Sequence, residues 1–285
     1  MSLLQAILLG IVQGLTEFIP VSSTAHLVLA SRAMNLSLTP EQLTAAIAVI
    51  QLGTLVAVVL YFARDIWQIA YAFVRDHLAL ASKKSSSGPR LSHEAWLGWL
   101  IIIGSLPVGI VGLLFKKQIE GTFTKNLWVI ATMMVLIAVL LAIAELVGKK
   151  RRGMNELGIL DSLAVGFAQC LALIPGSSRS GSTIMAGLFA GETRETAARF
   201  SFLLSIPAIA ASGLLELKEA LHKLPHDIFL TLMFGTVISG MVGYLSIWFL
   251  LRYLRTHTTG VFIGYRLLVG GAILIMLLMG KLAAL

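Results

Sequence analysis

Long apolar runs recur along this 285-residue sequence, and they constrain its fold more than any other feature. A run of about 20 apolar residues is long enough to cross the hydrocarbon core of a bilayer as a helix. Only 13% of the residues are charged, whereas soluble domains carry about 25%. The pattern therefore predicts an all-α integral membrane protein with six full transmembrane helices. The six runs are roughly Thr44–Phe62, Ala95–Phe115, Asn126–Val147, Ala197–Leu215, Ile228–Leu251 and Gly260–Leu282.

Two further apolar segments are interrupted. Leu3–Ser31 contains Pro20-Val-Ser-Ser-Thr, and Ile159–Ala190 contains Pro175-Gly-Ser-Ser-Arg-Ser-Gly-Ser-Thr. Each half is too short to cross the bilayer alone, and each interruption leaves backbone groups without helical partners. Such backbone is tolerated at membrane depth only where it is buried in protein or lines a wet cavity. We therefore predict two re-entrant helix-loop-helix hairpins.

The two halves of the chain resemble each other in sequence. Gly10-Ile-Val-Gln13 precedes the first interruption, and Gly166-Phe-Ala-Gln169 precedes the second. Later in each half, Gly104-x4-Gly109-x-Val111-Gly112 recurs as Gly235-x4-Gly240-x-Val242-Gly243. Chance recurrence of small residues is the alternative, but two matches in the same order favour duplication.

A duplicated arrangement has a consequence for topology. An odd number of full crossings separates the two interrupted segments, so the two copies must face opposite ways. We therefore predict one membrane domain over residues 1–285, built as an inverted-topology repeat. The halves cover about 1–147 and 158–285, joined by a cytoplasmic linker at 148–157.

The net charge of +8 is explained by loops between the apolar runs. Basic residues there set membrane topology and contact anionic lipid headgroups. No basic face on a soluble domain is evident, so we predict membrane lipids as partners and no nucleic acid. The basic residues that we place inside the cell are Arg64, Arg75, Lys83, Lys84, Arg90, Lys149, Lys150, Arg151, Arg152, Arg252 and Arg255.

Ionisable and hydroxyl side chains are concentrated in the interrupted segments. Charged groups inside a membrane usually face a partner or a cavity. If the two interruptions converge, they bring a carboxylate, an imidazole, a guanidinium and several hydroxyls together. The first segment contributes Gln13, Glu17, Ser22, Ser23, Thr24 and His26, and the second contributes Ser177, Ser178, Arg179, Ser180 and Thr183.

A new helix is expected to begin after each interruption, and its first N–H groups lack intrahelical acceptors. Together with the helix dipole they form an anion site. Ser22 or Ser177 acting as an ordinary N-cap is the simpler alternative. Capping does not explain Arg179, whose bidentate guanidinium suits a phosphate. A buried ion pair between Arg179 and Glu17 is the alternative for that residue, and Arg266 in the last span is predicted to meet the same anion.

The remaining polar groups suit a metal and a proton transfer. A carboxylate beside a phosphate, such as Glu17, suits a divalent cation, Mg2+ or Ca2+, with Gln13 as a neutral oxygen ligand. An imidazole among hydroxyls, such as His26, suits a general base or a nucleophile.

The two motifs resemble the signatures of the bacterial undecaprenyl-diphosphate phosphatases, the bacitracin-resistance family. The matching residues are Gln13-Gly-Leu-Thr-Glu17 with Ser22-Ser-Thr-Ala-His26, and Pro175-Gly-Ser-Ser-Arg-Ser-Gly-Ser-Thr183. Similarity continues through Val49-Ile-Gln-Leu-Gly53 and Tyr265-Arg266, so it covers nearly the whole chain. Ala25 stands at a position that is often Gly, and Gln13 is the neutral option at its site.

The resemblance implies a hydrolase that removes the terminal phosphate of a C55 isoprenoid diphosphate and recycles the carrier for cell-wall synthesis. It implies a divalent cation, location in the bacterial inner membrane and a site facing the periplasm. Glu17, Ser23, His26 and Arg179 are its functional positions, and Ser23 and His26 are both candidate nucleophiles. We favour Ser23 with His26 as base. A transporter of a phosphorylated polyprenyl lipid is the rival function, because inverted repeats also build transporters. The oligomeric state stays open, a homodimer being one alternative.

Overall fold

The computed structural model describes residues 1–36, 38–81, 91–115, 126–224 and 228–284. Over these residues the regular structure is helical, with short 3-10 turns and one isolated bridge between Arg152 and Glu192. The α-helices in chain order are α1 (Leu3–Phe18), α2 (Ser23–Ala33), α3 (Pro40–Tyr61), α4 (Ala63–Ala81), α5 (His93–Leu114), α6 (Leu127–Val147), α7 (Ile159–Cys170), α8 (Arg179–Phe189), α9 (Arg194–Lys223), α10 (Phe229–Leu254) and α11 (Gly260–Leu278).

Six of these helices are long and apolar enough to cross a membrane, namely α3, α5, α6, α9, α10 and α11. Each overlaps one of the six predicted runs, which confirms for the described residues the prediction of an all-α fold with six helices of membrane-spanning length. Helix α4 carries four charged residues and is not among the six. Helices α1 and α7 are apolar but shorter.

Both interrupted segments fold as two short helices. The first forms α1 and α2 around Pro20, and the second forms α7 and α8 around Pro175. In both, the residue just before the second helix has a positive φ, 79° at Ser22 and 67° at Ser178. Side-chain-bearing residues rarely adopt this left-handed region, and it is found where surrounding structure enforces it, often at functional sites.

Close helix contacts join the two halves of the chain. Helix α1 packs along α10, and α7 packs along α5. A Cβ added at Gly10 would lie 2.3 Å from the carbonyl oxygen of Gly235, and one added at Gly166 would lie 2.3 Å from that of Gly104. The first glycines of the four motif copies therefore meet in two pairs, and each pair joins one half to the other.

Ion pairs hold the end of the bundle at which α6 ends and α7, α9 and α11 begin. Arg152 in the linker forms a bidentate pair with Asp161, with N–O distances of 2.6 and 2.7 Å. Glu145 accepts from Arg194 Nε and from the Thr259 hydroxyl, each at 2.8 Å. The basic loop residues Lys83, Lys84 and Arg90 of the sequence lie outside the described residues.

Candidate active site

Glu17 is the common acceptor of the site. It lies near the end of α1, one helical turn after Gln13, and both side chains are buried. Gln13 Nε2 and Ser23 Oγ donate to Glu17 Oε2 at 3.0 and 3.1 Å, and Arg179 Nη2 donates to Oε1 at 3.1 Å. The two interrupted segments therefore meet at this carboxylate, although Glu17 and Arg179 are 162 positions apart in the sequence.

Arg179 is the first residue of α8, and its contacts are compatible with two roles. Its pair with Glu17 is the ion pair considered as an alternative from the sequence. The other terminal nitrogen, Nη1, is buried and has no hydrogen-bond partner among the described residues. A buried guanidinium donor without an acceptor is costly, so this nitrogen is a place for an anion oxygen.

His26 is held by two groups on either side of its ring. Its Nδ1 lies 2.7 Å from the carbonyl oxygen of Ser22, which can only accept, so Nδ1 carries the proton. In the neutral imidazole, Nε2 then accepts from the Tyr265 hydroxyl at 2.7 Å. The two rings are stacked, with centroids 5.5 Å apart. The imidazole is therefore bonded to Tyr265, whereas the favoured hypothesis pairs it with Ser23, whose observed partner is Glu17.

The hydroxyls of the second loop have different partners. Ser178 Oγ accepts from Gly181 N at 3.2 Å and caps α8, whereas Ser177 Oγ donates to the carbonyl of Ile174. The N-cap role considered for Ser177 is thus filled by its neighbour, because Ser178 is the residue that directly precedes the helix. Ser180 Oγ lies 3.2 Å from Ser178 Oγ.

Other hydroxyls near the loops differ in how free they are. Thr183 donates to the carbonyl of Arg179 and contacts Ser201 Oγ on α9, so it is engaged within the protein. Ser22 precedes α2 without a side-chain capping bond. Thr24 is exposed at the start of α2, which places it where a ligand can reach it.

Arg266 joins both loops to α6. Its side chain is fully buried, and all three guanidinium nitrogens donate to backbone carbonyls. The acceptors include Pro20 in the first loop and Gly176 and Ser177 in the second, at 3.3, 2.9 and 3.1 Å. The remaining acceptors are Met133 and Met134. These contacts favour a loop-positioning role over the anion-binding role predicted from the sequence.

Two side chains have surroundings that the sequence did not predict. Tyr265 was noted only beside Arg266, although it contacts His26 across 239 residues of sequence. Gln169, the counterpart of Gln13, is buried and neither polar atom of its amide has a partner in the described parts of the chain. No local pattern links these positions to their surroundings.

Few of the described side chains at the site could bind the predicted cation. Over the described ranges, no group of three or more His, Cys, Asp or Glu residues is arranged to hold a metal. One carboxylate, Glu17, and the buried Oε1 of Gln13, which has no partner in the described structure, are the oxygen donors at hand. This set fits Mg2+ bound by one carboxylate together with substrate oxygens and water, rather than an all-protein cage.

Comparison with known proteins covers most of the chain. Residues 6–272 match the model of the family described as bacitracin resistance protein BacA. An undecaprenyl-diphosphatase of Syntrophobacter fumaroxidans is 52% identical over 276 residues, covering 96% of this chain and 97% of the relative. Proteins of the same name from Mycolicibacterium gilvum and Chloroherpeton thalassium are each 46% identical, with all of both chains covered. The chain is thus a multi-pass membrane protein that belongs to the BacA bacitracin resistance family.

Proposed function

We infer that the chain is an undecaprenyl-diphosphatase, a membrane hydrolase that removes the terminal phosphate of undecaprenyl diphosphate and thereby confers bacitracin resistance. The observation that carries this inference is the cluster of Glu17, near the end of α1, with Ser23 and Arg179, which begin α2 and α8. The names of its relatives support the phosphatase over the transporter alternative.

Substrate binding follows from the unsatisfied donors. The diphosphate would bind Arg179 Nη1 and the first free amides of α2 and α8, whose dipoles favour an anion. Both helices begin beside Glu17, since Ser23 and Arg179, their first residues, each donate to its carboxylate. The isoprenoid tail would remain in lipid, on the side where Tyr265 and Thr24 are exposed.

For the displacement, Ser23 is the favoured nucleophile. Its Oγ–H already points to Glu17 Oε2, so the carboxylate can take the proton as oxygen attacks the terminal phosphorus. The bond from that phosphorus to the bridging oxygen breaks, and undecaprenyl phosphate leaves. Water, with His26 as its general base, then attacks the seryl phosphate, inorganic phosphate leaves, and Ser23 Oγ takes back the proton held by Glu17. Attack by His26 would first require its Nε2 to lose the bond from Tyr265.

A divalent cation, Mg2+ or Ca2+, completes the proposal. Glu17 and Gln13 would hold it, with the other ligands supplied by the diphosphate and water. When bound, it would neutralise charge on the phosphate oxygens, as metal ions do in phosphoryl transfer.

We also propose that the two short helix pairs are re-entrant hairpins of an inverted repeat in the bacterial inner membrane. The paired contacts of Gly10 with Gly235 and of Gly166 with Gly104 support this, because each joins one half to the other in the same way. The basic linker end would face the cytoplasm by the positive-inside rule, and the site would open to the periplasm.

The test is phosphate release from undecaprenyl diphosphate by the purified full chain in detergent. It is run with added Mg2+ or Ca2+, with a chelator, and with Arg179→Ala. We expect cation-dependent release that the variant loses by at least about 100-fold, since a buried charge-assisted contact is removed. Arg252→Ala, an exposed arginine on α10, is the matched control and should retain activity.

Two results of this experiment would contradict parts of the proposal. No release by folded wild-type protein would overturn the hydrolase and return the same residues to lipid binding alone. Release that is unaffected by the chelator would remove the cation from the proposal while leaving the hydrolase intact.

A further inference from the structure

Helix α4 is the one long helix of the described structure outside the six spans and the interrupted segments. One of its sides packs on the protein. Ile69 and Phe73 lie against Gly98 of α5, and His77 Nε2 accepts from Trp99 Nε1 at 3.1 Å. This side therefore has its partner within the chain.

The opposite side of α4 is apolar and uncovered. It exposes four large side chains at spacings of four, three and four residues, which places them within an arc of about 60° on the helix. In chain order, 72, 59, 57 and 65% of the four side chains is exposed. A contiguous apolar stripe of this kind marks a site of interaction with another apolar phase. The four residues, here called the α4 stripe, are Trp67, Tyr71, Val74 and Leu78.

The acidic and the basic residues of α4 lie on different sides of the helix. Asp65 pairs with Arg199 of α9, and Asp76 accepts from the N–H of Ser92, the residue before α5, at 2.8 Å, so both carboxylates turn toward the protein. The two arginines, Arg64 and Arg75, are exposed and lie about 20–40° beyond Tyr71 on the helix wheel. The outward surface is thus an apolar stripe bordered by cations.

Arg75 shows how this border is built. Its guanidinium lies 6.0 Å from the centre of the Tyr71 ring and also pairs with Asp76 at 2.7 Å, while 55% of its side chain stays exposed. A long basic side chain at the edge of an apolar stripe places its stem on lipid and its charge at the headgroups.

The position of α4 in the chain favours lipid over other apolar partners for the α4 stripe. The helix follows α3 after only Phe62, at the end of the bundle where α3 ends and α5 begins. The last turns of α3 expose Val56 and Leu60, so α4 directly follows a candidate membrane-spanning helix that is itself apolar on its surface. Tryptophan and tyrosine are also the residues enriched at membrane–water interfaces.

We propose that α4 is an interfacial helix whose stripe lies at the headgroup–acyl boundary and whose Arg64 and Arg75 bind the phosphates of anionic phospholipids. This surface is separate from the candidate active site, so the proposal stands independently of the enzymatic function. Its ligand is defined by chemistry: an apolar chain next to an anionic headgroup.

The depth of the stripe is tested by fluorescence of the full chain in vesicles of phosphatidylcholine and phosphatidylglycerol. With Cys170→Ser as background, a bimane label is attached through Val74→Cys, or through Gln68→Cys on the exposed polar edge as matched control. We expect spin-labelled lipid to quench the Val74 label at least twofold more than the Gln68 label, with iodide showing the reverse. Equal iodide quenching of the two labels would overturn the proposal. So would a Val74 label shielded from both quenchers, because a second copy would then cover the stripe.

The role of the arginines needs a second measurement. Wild type, Arg64→Gln/Arg75→Gln and the control Arg255→Gln, whose arginine pairs with Glu195 at 2.8 Å, are titrated in detergent with phosphatidylglycerol or phosphatidylcholine. We expect phosphatidylglycerol to raise the apparent Tm of wild type and control, and the double variant to lose at least half of that shift. An equal shift in all three proteins would overturn anionic-lipid binding by these arginines.

Discussion

At the scale of single residues, the chemistry of the site centres on one buried carboxylate. Glu17 receives hydrogen bonds from Gln13, Ser23 and Arg179, and these three come from both interrupted segments. Its Oε2 accepts from the Gln13 amide and the Ser23 hydroxyl, and its Oε1 accepts from the Arg179 guanidinium. It can therefore organise a guanidinium and a hydroxyl around a phosphate.

Arg179→Lys tests whether a planar guanidinium is required. Arginine offers one nitrogen to Glu17 and another to substrate, whereas a lysine ammonium is a single point charge. We expect kcat/KM for phosphate release to fall about 100-fold. Arg252→Lys serves as the control. Full turnover of the Arg179 variant would refute the two-nitrogen clamp.

Tyr265→Phe tests the positioning of His26. The change keeps the stacked ring but removes the O–H that donates to Nε2. We expect kcat to fall about 10-fold, as for the loss of one positioned general acid–base contact. We also expect the acid limb of the pH–rate profile to move to higher pH, because the freed nitrogen takes up a proton more readily. Tyr253→Phe, in a stack with His257 at 4.5 Å, is the matched control. An unchanged profile would contradict the assignment.

Glu192 is not part of the candidate active site, but its burial predicts that the stability of the protein depends on pH. It is fully buried between α8 and α9, and neither oxygen has a partner among the described residues. Burial, aided by the nearby Asp161 carboxylate, raises the pKa of Glu192 from 4.5 to about 7. The folded state thus holds a proton that the unfolded chain loses above about pH 4.5, so stability falls as pH rises from there through about 7.

The size of this effect is about 3 kcal/mol, from 1.36 kcal/mol for each pKa unit. Glu192→Gln should remove it, so that the apparent Tm in detergent declines less between pH 5 and 8 than in wild type. Glu156→Gln, an exposed carboxylate in the linker, is the control. If plots of Tm against pH for Glu192→Gln and wild type were parallel, the Glu192 carboxyl would be ionised in the folded protein.

At the scale of elements, the glycine contacts determine how closely the interrupted helices approach their neighbours. Helix α7 meets α5 where Gly166 faces Gly104, and α1 meets α10 where Gly10 faces Gly235. Any side chain at these positions would displace a helix that ends at the candidate active site. Packing and activity are therefore coupled through these contacts.

Gly166→Ala should destabilise the protein by about 1–3 kcal/mol through overpacking. Its Cβ would lie 2.3 Å from a backbone oxygen that no side-chain rotation can move. We expect a lower apparent Tm and a lower rate of phosphate release. Gly109→Ala on α5, with nothing within 4 Å of the added Cβ, is the matched control and should fold like wild type. Equal Tm values for the two variants would argue against close packing.

At the scale of the whole molecule, the proposed inverted repeat fixes which end of the bundle faces each side of the membrane. Arg151 in the linker and Ala33 at the end of α2 are both exposed and lie in segments that the proposal places on opposite sides. The basic linker end should remain inside the cell.

Labelling of intact bacteria checks this orientation. Arg151→Cys and Ala33→Cys are made separately with Cys170→Ser, which removes the only cysteine of the chain. An impermeant maleimide should label Ala33→Cys in intact cells and Arg151→Cys only after permeabilisation. The opposite pattern would invert the proposed topology, and labelling of both in intact cells would exclude a fixed orientation.

Much of the fold could be predicted from the sequence because its causes are local. A helix that crosses hydrocarbon must be about 20 residues long and apolar, and this length is visible in the chain for all six spans. The interruptions were also visible, since Pro20 and Pro175 cannot continue a helix without losing a hydrogen bond. Glu17 and Arg179 stood out because charge is rare in such segments.

The contacts within the site were decided by the tertiary structure. Whether Ser23 meets His26 or Glu17 depends on the left-handed backbone at Ser22 and on the direction in which α2 leaves the loop. Tyr265 reaches His26 only because α11 and α2 both pack against α6, although the two residues are 239 positions apart in the sequence. Sequence composition and spacing thus determined the membrane fold and the identity of the polar residues. Their pairing required three-dimensional packing, because a hydrogen bond depends on atomic distance and direction that no sequence spacing specifies.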